Sequence, residues 1–367
     1  NRWIRLPLNR PAGLLFERWP RKPLFVLALF LGALSTALYA FTQGFWPLLA
    51  GRLLWGIAWV GIWVGGNTIV LDISQETNRG KRVGIYQIAF FTGAGGGAFL
   101  GGMLTDWVGY HNAMAVNASL TLLGAIMALI FLPETRRLRP PDKLAAHRRQ
   151  SRANTPRQHE KHPPAFFDSQ SGELASAAAL LAVNRLAQAG FLIATMGLFL
   201  QQQLGDSFSF AGFTIGIATL TGVGLGTMTL VSIITAPLIG SISDRFGNRW
   251  RAAAGGLVPG ILGFALLSFG TPVSIAVGLL GISIASGSNV NLSTALIGDL
   301  GIRGQHGRRL GALFTIGDLT SAIGPPLAFW LRAYIRLGGV YWIAAAIFGG
   351  MWLVARRWAR EGRNSEG

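Results

Sequence analysis

The sequence predicts an all-α membrane protein of two six-helix bundles, with about ten complete transmembrane helices and the end of another in this chain. Three observations predict this fold: long uncharged apolar blocks, basic residues gathered in alternate loops, and an internal repeat. Hydrophobic residues make up 51% of the chain and charged residues 13%, against ~25% charged residues in a typical soluble domain. A soluble core of this size could not bury so much apolar surface.

Each apolar block of about 20 residues is long enough to cross a bilayer about 30 Å thick. In chain order the blocks predict spans at 24–43, 46–71, 84–105, 112–132, 174–200, 212–239, 252–270, 273–298, 310–331 and 337–355. The chain also contains 50 glycines. Small residues allow the close helix contacts on which association in lipid depends.

The basic residues predict which loops share one side of the membrane. Most of the 32 Lys and Arg residues lie in every second connecting segment, whereas the opposite segments hold only Arg332 and Arg336. By the positive-inside rule, the basic loops, the linker and the C-terminus are cytoplasmic in a multi-pass protein of the cell membrane. A net charge of +17 would also suit nucleic-acid binding, but such charge would not alternate with the spans. We therefore expect no nucleic-acid partner.

The chain matches itself at one constant offset of 227 residues, and each match falls at the same place in its half. Gly13, Glu17, Arg18 and Asp72 match Gly240, Asp244, Arg245 and Asp299, segment 80–84 matches 307–311, and Gly97 matches Gly324. Duplicated halves of parallel topology are typical of secondary transporters.

The spans and the repeat divide the chain into four parts. These are an N-terminal bundle at 1–132, a cytoplasmic linker at 133–173, a C-terminal bundle at 174–358 and a cytoplasmic tail at 359–367. At the repeat offset, the first two spans of the C-terminal bundle lack complete partners. Residues 1–12 are therefore expected to end a helix, and the first helix and most of the second are expected to precede this chain, which would be N-terminally truncated.

Two loops carry a resemblance to a known family. Gly240-Ser-Ile-Ser-Asp244-Arg245-Phe-Gly247-Asn248-Arg249 resembles the Gly-x-x-x-Asp-Arg-x-Gly-Arg-Arg loop of the major facilitator superfamily. Gly13-Leu-Leu-Phe-Glu17-Arg18-Trp-Pro20-Arg21-Lys22 looks like the same loop in the first half, with Glu17 in place of Asp and Pro20 in place of Gly. The resemblance covers essentially the whole chain and is closest in motif to the drug:proton antiporter branch.

The resemblance implies that both loops form a cytoplasmic gate. In this family Glu17 would face the start of the 310–331 helix and Asp244 the start of the 84–105 helix, where helix dipoles favour negative charge. Arg21 would pair with Asp72, and Arg249 with Asp299. The alternative is helix-end solvation and membrane anchoring. The gate prediction comprises Gly13, Glu17, Arg18, Arg21, Lys22, Asp72, Gly240, Asp244, Arg245, Gly247, Arg249 and Asp299.

An arginine lies between two uncharged blocks. Arg52 resembles the intramembrane arginine of the family's fourth helix, and helical spacing places it on one face with Trp59 and Trp63. A charge in this position is costly unless it faces an interior or a partner. The stripe is therefore a candidate cavity lining with a role in proton coupling. The alternative is an arginine that snorkels to the outer membrane surface.

A glycine-rich segment predicts close helix packing. The run from Gly93 through Gly97 to Gly101 and Gly102 resembles the Gly-x-x-x-Gly-Pro-x-x-Gly-Gly motif of proton-coupled exporters, with Ala98 where the family has proline. Its repeat partner begins with Gly324 and Pro325. Glycines four residues apart open a groove for another helix, so plain packing is the alternative to an antiport role.

Two more ionisable residues lie inside spans, Arg185 and Asp318. At about 1.5 Å per residue both lie roughly 12–16 Å from the basic side. The hypothesis is that they approach one another or the cavity, as a substrate or proton site or as a structural pair. Further polar candidates for the cavity are Asn67, Gln87, Asn184, Gln188, Asn289, Asn291 and Thr294.

These features predict a secondary active transporter, coupled to protons and exporting a small amphipathic molecule by alternating access. The alternatives are a proton- or ion-coupled importer of sugars or organic acids, and a non-transporting membrane scaffold. No paired acid and base, nucleotide-binding loop or metal-ligand spacing is present, which argues against an enzyme, an ATP-driven pump and a metal site. We expect no cofactor, a small-molecule substrate with protons, a lipid environment and a monomer.

Overall fold

The structure is a computed structural model that describes residues 2–74, 79–135, 169–210, 212–299 and 306–364. These ranges hold twelve α-helices, one π-helical segment and one β-hairpin. The first five helices are α1 (Arg2–Arg18), α2 (Arg21–Phe41), α3 (Phe45–Asp72), α4 (Arg79–Val108) and α5 (Tyr110–Phe131). The others are α6 (Ser169–Asn184), α7 (Ile193–Leu204), α8 (Ile217–Phe246), α9 (Arg249–Ser268), α10 (Pro272–Asp299), α11 (His306–Arg332) and α12 (Leu337–Asn364).

The π-helical segment (Arg185–Leu192) joins α6 to α7 without a break. An antiparallel hairpin, β1 (Ser207–Phe210) and β2 (Phe213–Gly216), joins α7 to α8. The predicted span at 212–239 therefore begins later than expected, because the hairpin precedes the helix.

Nine helical stretches in the described ranges are long and apolar enough to cross a membrane. They confirm the predicted all-α membrane fold. The tenth predicted span, 310–331, falls within α11, which is not among these nine stretches. Most of the predicted linker, 136–168, lies outside the described residues.

The last helix enters the predicted tail. α12 runs to Asn364, and Arg357 donates to the Glu361 carboxylate one turn later at 2.8 Å. Such an i,i+4 pair supports a helix, so the basic residues that suggested a tail extend the helix instead.

The helix ends form two sets. We call the "basic end" the one where α1 joins α2, α3 joins α4, α8 joins α9 and α10 joins α11. The "opposite end" is the one where α2 joins α3, α4 joins α5, α9 joins α10 and α11 joins α12. At the opposite end Gly109 alone separates α4 from α5, with φ of 82°, a conformation that only glycine adopts at low cost.

The second half has the larger core. Its buried centre contains the aromatic side chains of Phe191, Phe199, Phe264, Tyr341 and Phe348, from the π-helical segment, α7, α9 and α12. The Tyr341 hydroxyl is satisfied by the Thr195 hydroxyl at 2.9 Å. In the first half, α2 packs between α3 and α5. Large apolar side chains on the outer faces, such as Ile130 at 64% exposure, form the surface that meets lipid.

The halves meet along two helix pairs. α4 packs along α8, and α1 packs against α11. The contact between α1 and α11 brings charged side chains together in the interior. The contact between α4 and α8 brings an acidic side chain to the start of α8 at the opposite end.

Candidate functional site

A cluster of three arginines and one aspartate lies between the halves. Arg5 of α1 and Asp318 of α11 form an ion pair at 3.5 Å, with side-chain exposures of 20% and 34%. Arg185, the first residue of the π-helical segment, is within electrostatic range of Asp318 and Arg5. Arg2 is within range of all three. We call these four residues the charged cluster, and it carries an excess of positive charge.

Backbone contacts fix this cluster in place. Arg2 donates to the carbonyl oxygens of Ala189 at 3.2 Å and Ser321 at 2.7 Å, and so joins α1 to two elements of the other half. A Cβ on Gly190 would lie 2.7 Å from the Gly324 Cα. The two glycines therefore let the π-helical segment and α11 touch backbone to backbone, which keeps Arg185 beside Asp318. A π-helical turn inside an α-helix is common at functional sites.

An aromatic wall borders the charged cluster. The Arg5 guanidinium carbon lies 5.5 Å from the centroid of the Trp59 ring, within cation–π range. Trp59 stacks on Trp63 with ring centroids 6.4 Å apart and planes 4° from parallel. Phe90 meets both rings edge-on at 5.8 and 5.1 Å. The arrangement offers positive charge next to flat apolar surface.

The cluster differs from the sequence expectation in its members. Arg185 lies within electrostatic range of Asp318, but the ion-pair partner of Asp318 is Arg5. Arg52 is exposed and lies over the Tyr39 ring at 5.6 Å, so Arg5 occupies the position beside Trp59 that the stripe suggested for Arg52. Arg2 and Arg5 were missed because they were counted among the loop charges of residues 1–22. Their spacing of three residues, one helical turn, was the available signal.

The predicted polar cavity residues lie in different surroundings. Asn67 donates to the Trp63 carbonyl of its own helix at 2.7 Å, and Gln87 is half-buried. Gln188 accepts from the Ser286 hydroxyl inside the second half. Asn289 is 0% exposed in this conformation and packs against α9 of its own half.

At the basic end of the first half, Arg21 and Asp72 contact one another. The Arg21 Nε donates to the Asp72 carboxylate at 3.0 Å, and the two residues are 2% and 5% exposed. Glu134 also accepts from the backbone N–H groups of Arg21 at 3.0 Å and Lys22 at 3.1 Å. A carboxylate there satisfies free N–H groups and suits the helix dipole. Sequence reasoning missed Glu134 because it assigned that residue to the linker.

In the second half, the ion pair with the equivalent aspartate is formed by the residue that follows the equivalent position. Asn248 stands where the first half has Arg21, and Arg249 pairs with Asp299. Asn248 instead accepts from the Arg251 N–H at 3.0 Å, as a helix cap. Arg249 also contacts Asp244 at 3.3 Å. This group is more open than its counterpart, since the Asp244 side chain is 65% exposed.

The helix starts that Glu17 and Asp244 are expected to face, in α11 and α4, include residues whose side chains lie outside the described part of the chain. Glu17 is exposed, and Asp244 bonds to Arg249 of its own half. Within the described ranges, no ion pair joins the halves at the basic end. Arg18 and Arg245 are exposed as well. Gly247 ends α8 with φ of 65°, and Gly240 lies against Asn291, whereas no atom lies within 4 Å of a Cβ at Gly13.

The halves make their closest contact toward the opposite end. The Asp106 carboxylate of α4 accepts from the N–H groups of Ala218 at 3.3 Å and Thr219 at 2.6 Å, at the start of α8. We call this contact the Asp106 latch. A side chain at Gly216 would overlap the Asp106 carboxylate. Asp106 was not a predicted site residue, because no sequence pattern indicates which helix start a loop-end acid meets.

Of the predicted glycine motif, Gly102 lies at the contact between α4 and α8. A Cβ on Gly102 would overlap the Ala218 carbonyl, so this glycine lets α4 touch α8. The contact continues through Gly95, which the motif did not select. A Cβ on Gly93, Gly97 or Gly101 would have no atom within 4 Å, because those residues face a different side of α4. The second-half prediction is supported at Gly324, which touches Gly190 and precedes Pro325 inside α11.

Comparisons with known proteins agree with this architecture. The family model described as Major Facilitator Superfamily matches residues 3–229 and 222–366. The chain is 24% identical to the class C tetracycline resistance protein of Escherichia coli over 339 residues, covering 91% of this chain and 79% of that protein. It is 26% identical to the human major facilitator superfamily domain-containing protein 10 over 344 residues, covering 89% and 68% of the two chains.

Solved transporters share the fold. A POT family transporter in complex with 5-aminolevulinic acid has a TM-score of 0.71 at 12% identity, covering 98% of this chain and 85% of that one. The human organic anion transporter MFSD10 (TETRAN) has a TM-score of 0.60 at 20% identity, covering 96% and 81%. The two family-model matches together span nearly the whole chain, and the chain therefore belongs to the Major Facilitator Superfamily, whose members are membrane transporters rather than enzymes.

Proposed function

We propose that this chain exports a small amphipathic molecule with an anionic group and an aromatic or other flat apolar part, by alternating access coupled to protons. The observation that carries the proposal is the charged cluster beside the Trp59–Trp63 stack. Three guanidinium groups face one carboxylate, and charge inside a membrane protein is retained where it meets a partner or substrate.

The substrate charge follows from the contacts of the cluster. Arg5 is held by Asp318 at 3.5 Å, a distance longer than a close charge-assisted hydrogen bond. An incoming carboxylate or phosphate can therefore compete for Arg5, while the Trp59 ring covers the apolar part of the molecule. Arginine suits this task because its planar fork binds oxyanions and stacks on aromatic rings.

Access to this site would alternate between the two ends. In the proposed orientation the basic end is cytoplasmic, in keeping with the positive-inside rule. The Asp106 latch then closes the outer side, while Glu17 and Asp244 are exposed on the cytoplasmic side. The two loops act as a gate when they meet the other half, so they change the population of states rather than bind substrate. One chain contains both halves and acts as a monomer.

Asp318 is the proposed proton site. Two coupling modes with opposite proton movement, antiport and symport, are to be distinguished. Efflux by proton antiport is supported by the similarity to tetracycline resistance proteins, since protection from a compound by transport requires its removal. A second candidate, symport of a proton with an organic anion, is supported by the Arg5–Asp318 contact. Protonation of Asp318 releases Arg5 for an anion, so that proton and anion favour each other's binding.

Ligand binding by the purified chain tests the site. Tryptophan fluorescence is titrated with an aromatic carboxylate, salicylate, and with an aromatic amine of similar size, benzylamine. We expect salicylate to bind more tightly, and Arg5→Gln to weaken it by about tenfold, in line with the ~1.5–3 kcal/mol of a hydrogen bond to a charged group. The matched control is Arg52→Gln, which removes an exposed arginine of the same half. Equal effects of the two substitutions, or tighter binding of benzylamine, would contradict the proposed site.

Flux measurements decide the coupling. Proteoliposomes with the pH dye pyranine inside receive salicylate outside. Relative to protein-free liposomes, which take up the neutral acid by diffusion, antiport makes the lumen more alkaline and symport makes it more acidic. Asp318→Asn removes this difference while the protein stays folded. A pH response that persists in Asp318→Asn excludes Asp318 as the proton site, and binding without any flux in the wild-type chain excludes transport of this class of compound.

A further inference from the structure

A cleft of about 350 Å³ lies at the basic end, between α9 and α12, and none of its lining residues belongs to the charged cluster. Its rim carries three arginines and its floor is apolar. The lining residues are Arg251, Ala254, Gly255, Val258, Trp352, Arg356, Ala359 and Arg360.

The three rim arginines are exposed and have no acidic partner in the described part of the chain. Among the described residues, no carboxylate lies within ion-pair distance of Arg251, Arg356 or Arg360. Their neighbour Arg357 behaves differently, since it pairs with Glu361 at 2.8 Å and does not line the cleft. Concentrated positive charge without a counter-charge indicates an anionic ligand.

The width of the cleft is fixed by contacts on the inner side of the same helices. Trp250 of α9 stacks on Trp358 of α12 at 6.3 Å and donates to Glu173 at 2.6 Å. The Asn248 side chain donates to the Ala359 carbonyl at 3.3 Å. These contacts hold α9 and α12 together from within the bundle, and the cleft lies on the face that turns outward.

The depth of the arginines matches a membrane boundary. Arg356 lies roughly 28 Å along α12 from Leu337, at about 1.5 Å per residue, close to the ~30 Å thickness of the hydrocarbon layer. Arg360 is one turn further. The Arg356 guanidinium stacks over the Trp352 ring at 4.7 Å, and tryptophan is typical of this boundary. Toward the membrane centre the floor continues as Gly255 and the half-exposed Val258.

We propose that this cleft binds an anionic phospholipid from the leaflet at the basic end. The arginines would surround the phosphate-bearing headgroup, and an acyl chain would lie on the apolar floor. A Cβ on Gly255 would meet no atom within 4 Å, so the floor has room for that chain. Clusters of Arg between transmembrane helices on the cytoplasmic side suit anionic headgroups.

The test measures lipid retention by native mass spectrometry, on the detergent-purified full chain with equal amounts of dioleoyl-phosphatidylglycerol or dioleoyl-phosphatidylcholine. No transported substrate is needed, so the result is independent of the proposed function. We expect preferential retention of phosphatidylglycerol. About 1 kcal/mol for each arginine near an anionic lipid corresponds to about fivefold, so the double variant R356Q/R360Q is expected to retain roughly 25-fold less. The matched control R357Q retains the wild-type amount.

A second variant separates lipid binding from loss of charge. Gly255→Leu fills the floor while it keeps all three arginines, and it is expected to lower phosphatidylglycerol retention even if R356Q/R360Q fails to fold. Equal retention of the two lipids by the wild-type chain overturns the proposal, because the cleft would then be a general apolar groove. Retention in Gly255→Leu equal to wild type, or a loss in R357Q as large as in R356Q/R360Q, overturns it too.

Discussion

The Asp106 latch predicts that one carboxylate biases the equilibrium between conformations. Asp106 accepts from two N–H groups at the start of α8, at 3.3 and 2.6 Å. These bonds exist only while the opposite ends of the halves are closed together. Asp106→Ala therefore removes stabilisation from the closed state and takes nothing from the state in which these ends separate.

The magnitude follows from the contact. Hydrogen bonds to a charged group contribute about 1.5–3 kcal/mol, and a carboxylate at a helix start gains about 0.3–1 kcal/mol more from the helix dipole. Because Asp106 is exposed, we take the lower end, ~2 kcal/mol in all. At 1.4 kcal/mol per factor of ten, the ratio of closed to open molecules falls by roughly 30-fold. Asp106→Asn keeps one acceptor oxygen without charge and is expected to have about half this effect in free energy.

The assay uses the absence of cysteine from the chain. Spin labels on Tyr110→Cys and Phe213→Cys report the separation of the halves at the opposite end by pulsed electron paramagnetic resonance, since both positions are exposed, at 48% and 75%. We expect a longer-distance population in Asp106→Ala. The matched control is Asp206→Ala, an acid at the same end whose side chain accepts from Gln201 of its own half at 2.9 Å. Identical distance distributions for the two alanine variants would refute the reasoning.

Three further predictions concern packing and charge. Gly102→Val is expected to separate α4 from α8 and lengthen the same label distance, because its side chain would overlap a backbone carbonyl. Gly101→Val is the control and is expected to leave the distance unchanged, since a Cβ there has no atom within 4 Å. Equal effects of the two substitutions would show that this face of α4 is not the contact. Arg21→Gln leaves a buried carboxylate unpaired and is expected to lower the free energy of unfolding by about 3–5 kcal/mol. Arg249→Gln, at the more exposed pair, is expected to lower it by less than about 1 kcal/mol. Chemical denaturation in detergent measures both values, and similar losses would contradict the argument from burial. Gly324→Ala places a methyl group against the backbone of the π-helical segment. Salicylate affinity is therefore expected to fall at least fivefold, roughly 1 kcal/mol, while the helix content measured by circular dichroism stays unchanged. Wild-type affinity in this variant would mean that the contact does not position the charged cluster.

Some features could be predicted from the sequence because they depend on local pattern. Long apolar blocks specify helices in lipid, where every backbone group must be satisfied within the helix. The constant repeat offset placed Asp72 and Asp299 at equivalent helix ends, and each forms an ion pair with an arginine near the start of an earlier helix. Arg185 and Asp318 were found because a charge inside an apolar block is conspicuous.

Other features depend on which helix face meets which neighbour. Arg2 and Arg5 looked like loop charges until α1 was seen to pack against α11. Gly95 makes the contact with α8 together with Gly102, although the motif selected Gly93 and Gly97 rather than Gly95. Several glycine stripes exist on α4, and only one is turned toward the other half.

The sequence by itself determined that this chain is a membrane protein of two repeated helical halves, since hydrophobic length and charge distribution act on each segment independently of its neighbours. Only the tertiary structure decided the members of the charged cluster, the Asp106 latch and the arginine cleft between α9 and α12. Each of these is a contact between residues far apart in the chain. Such contacts depend on helix rotation and on the relative position of the halves, which local patterns do not encode.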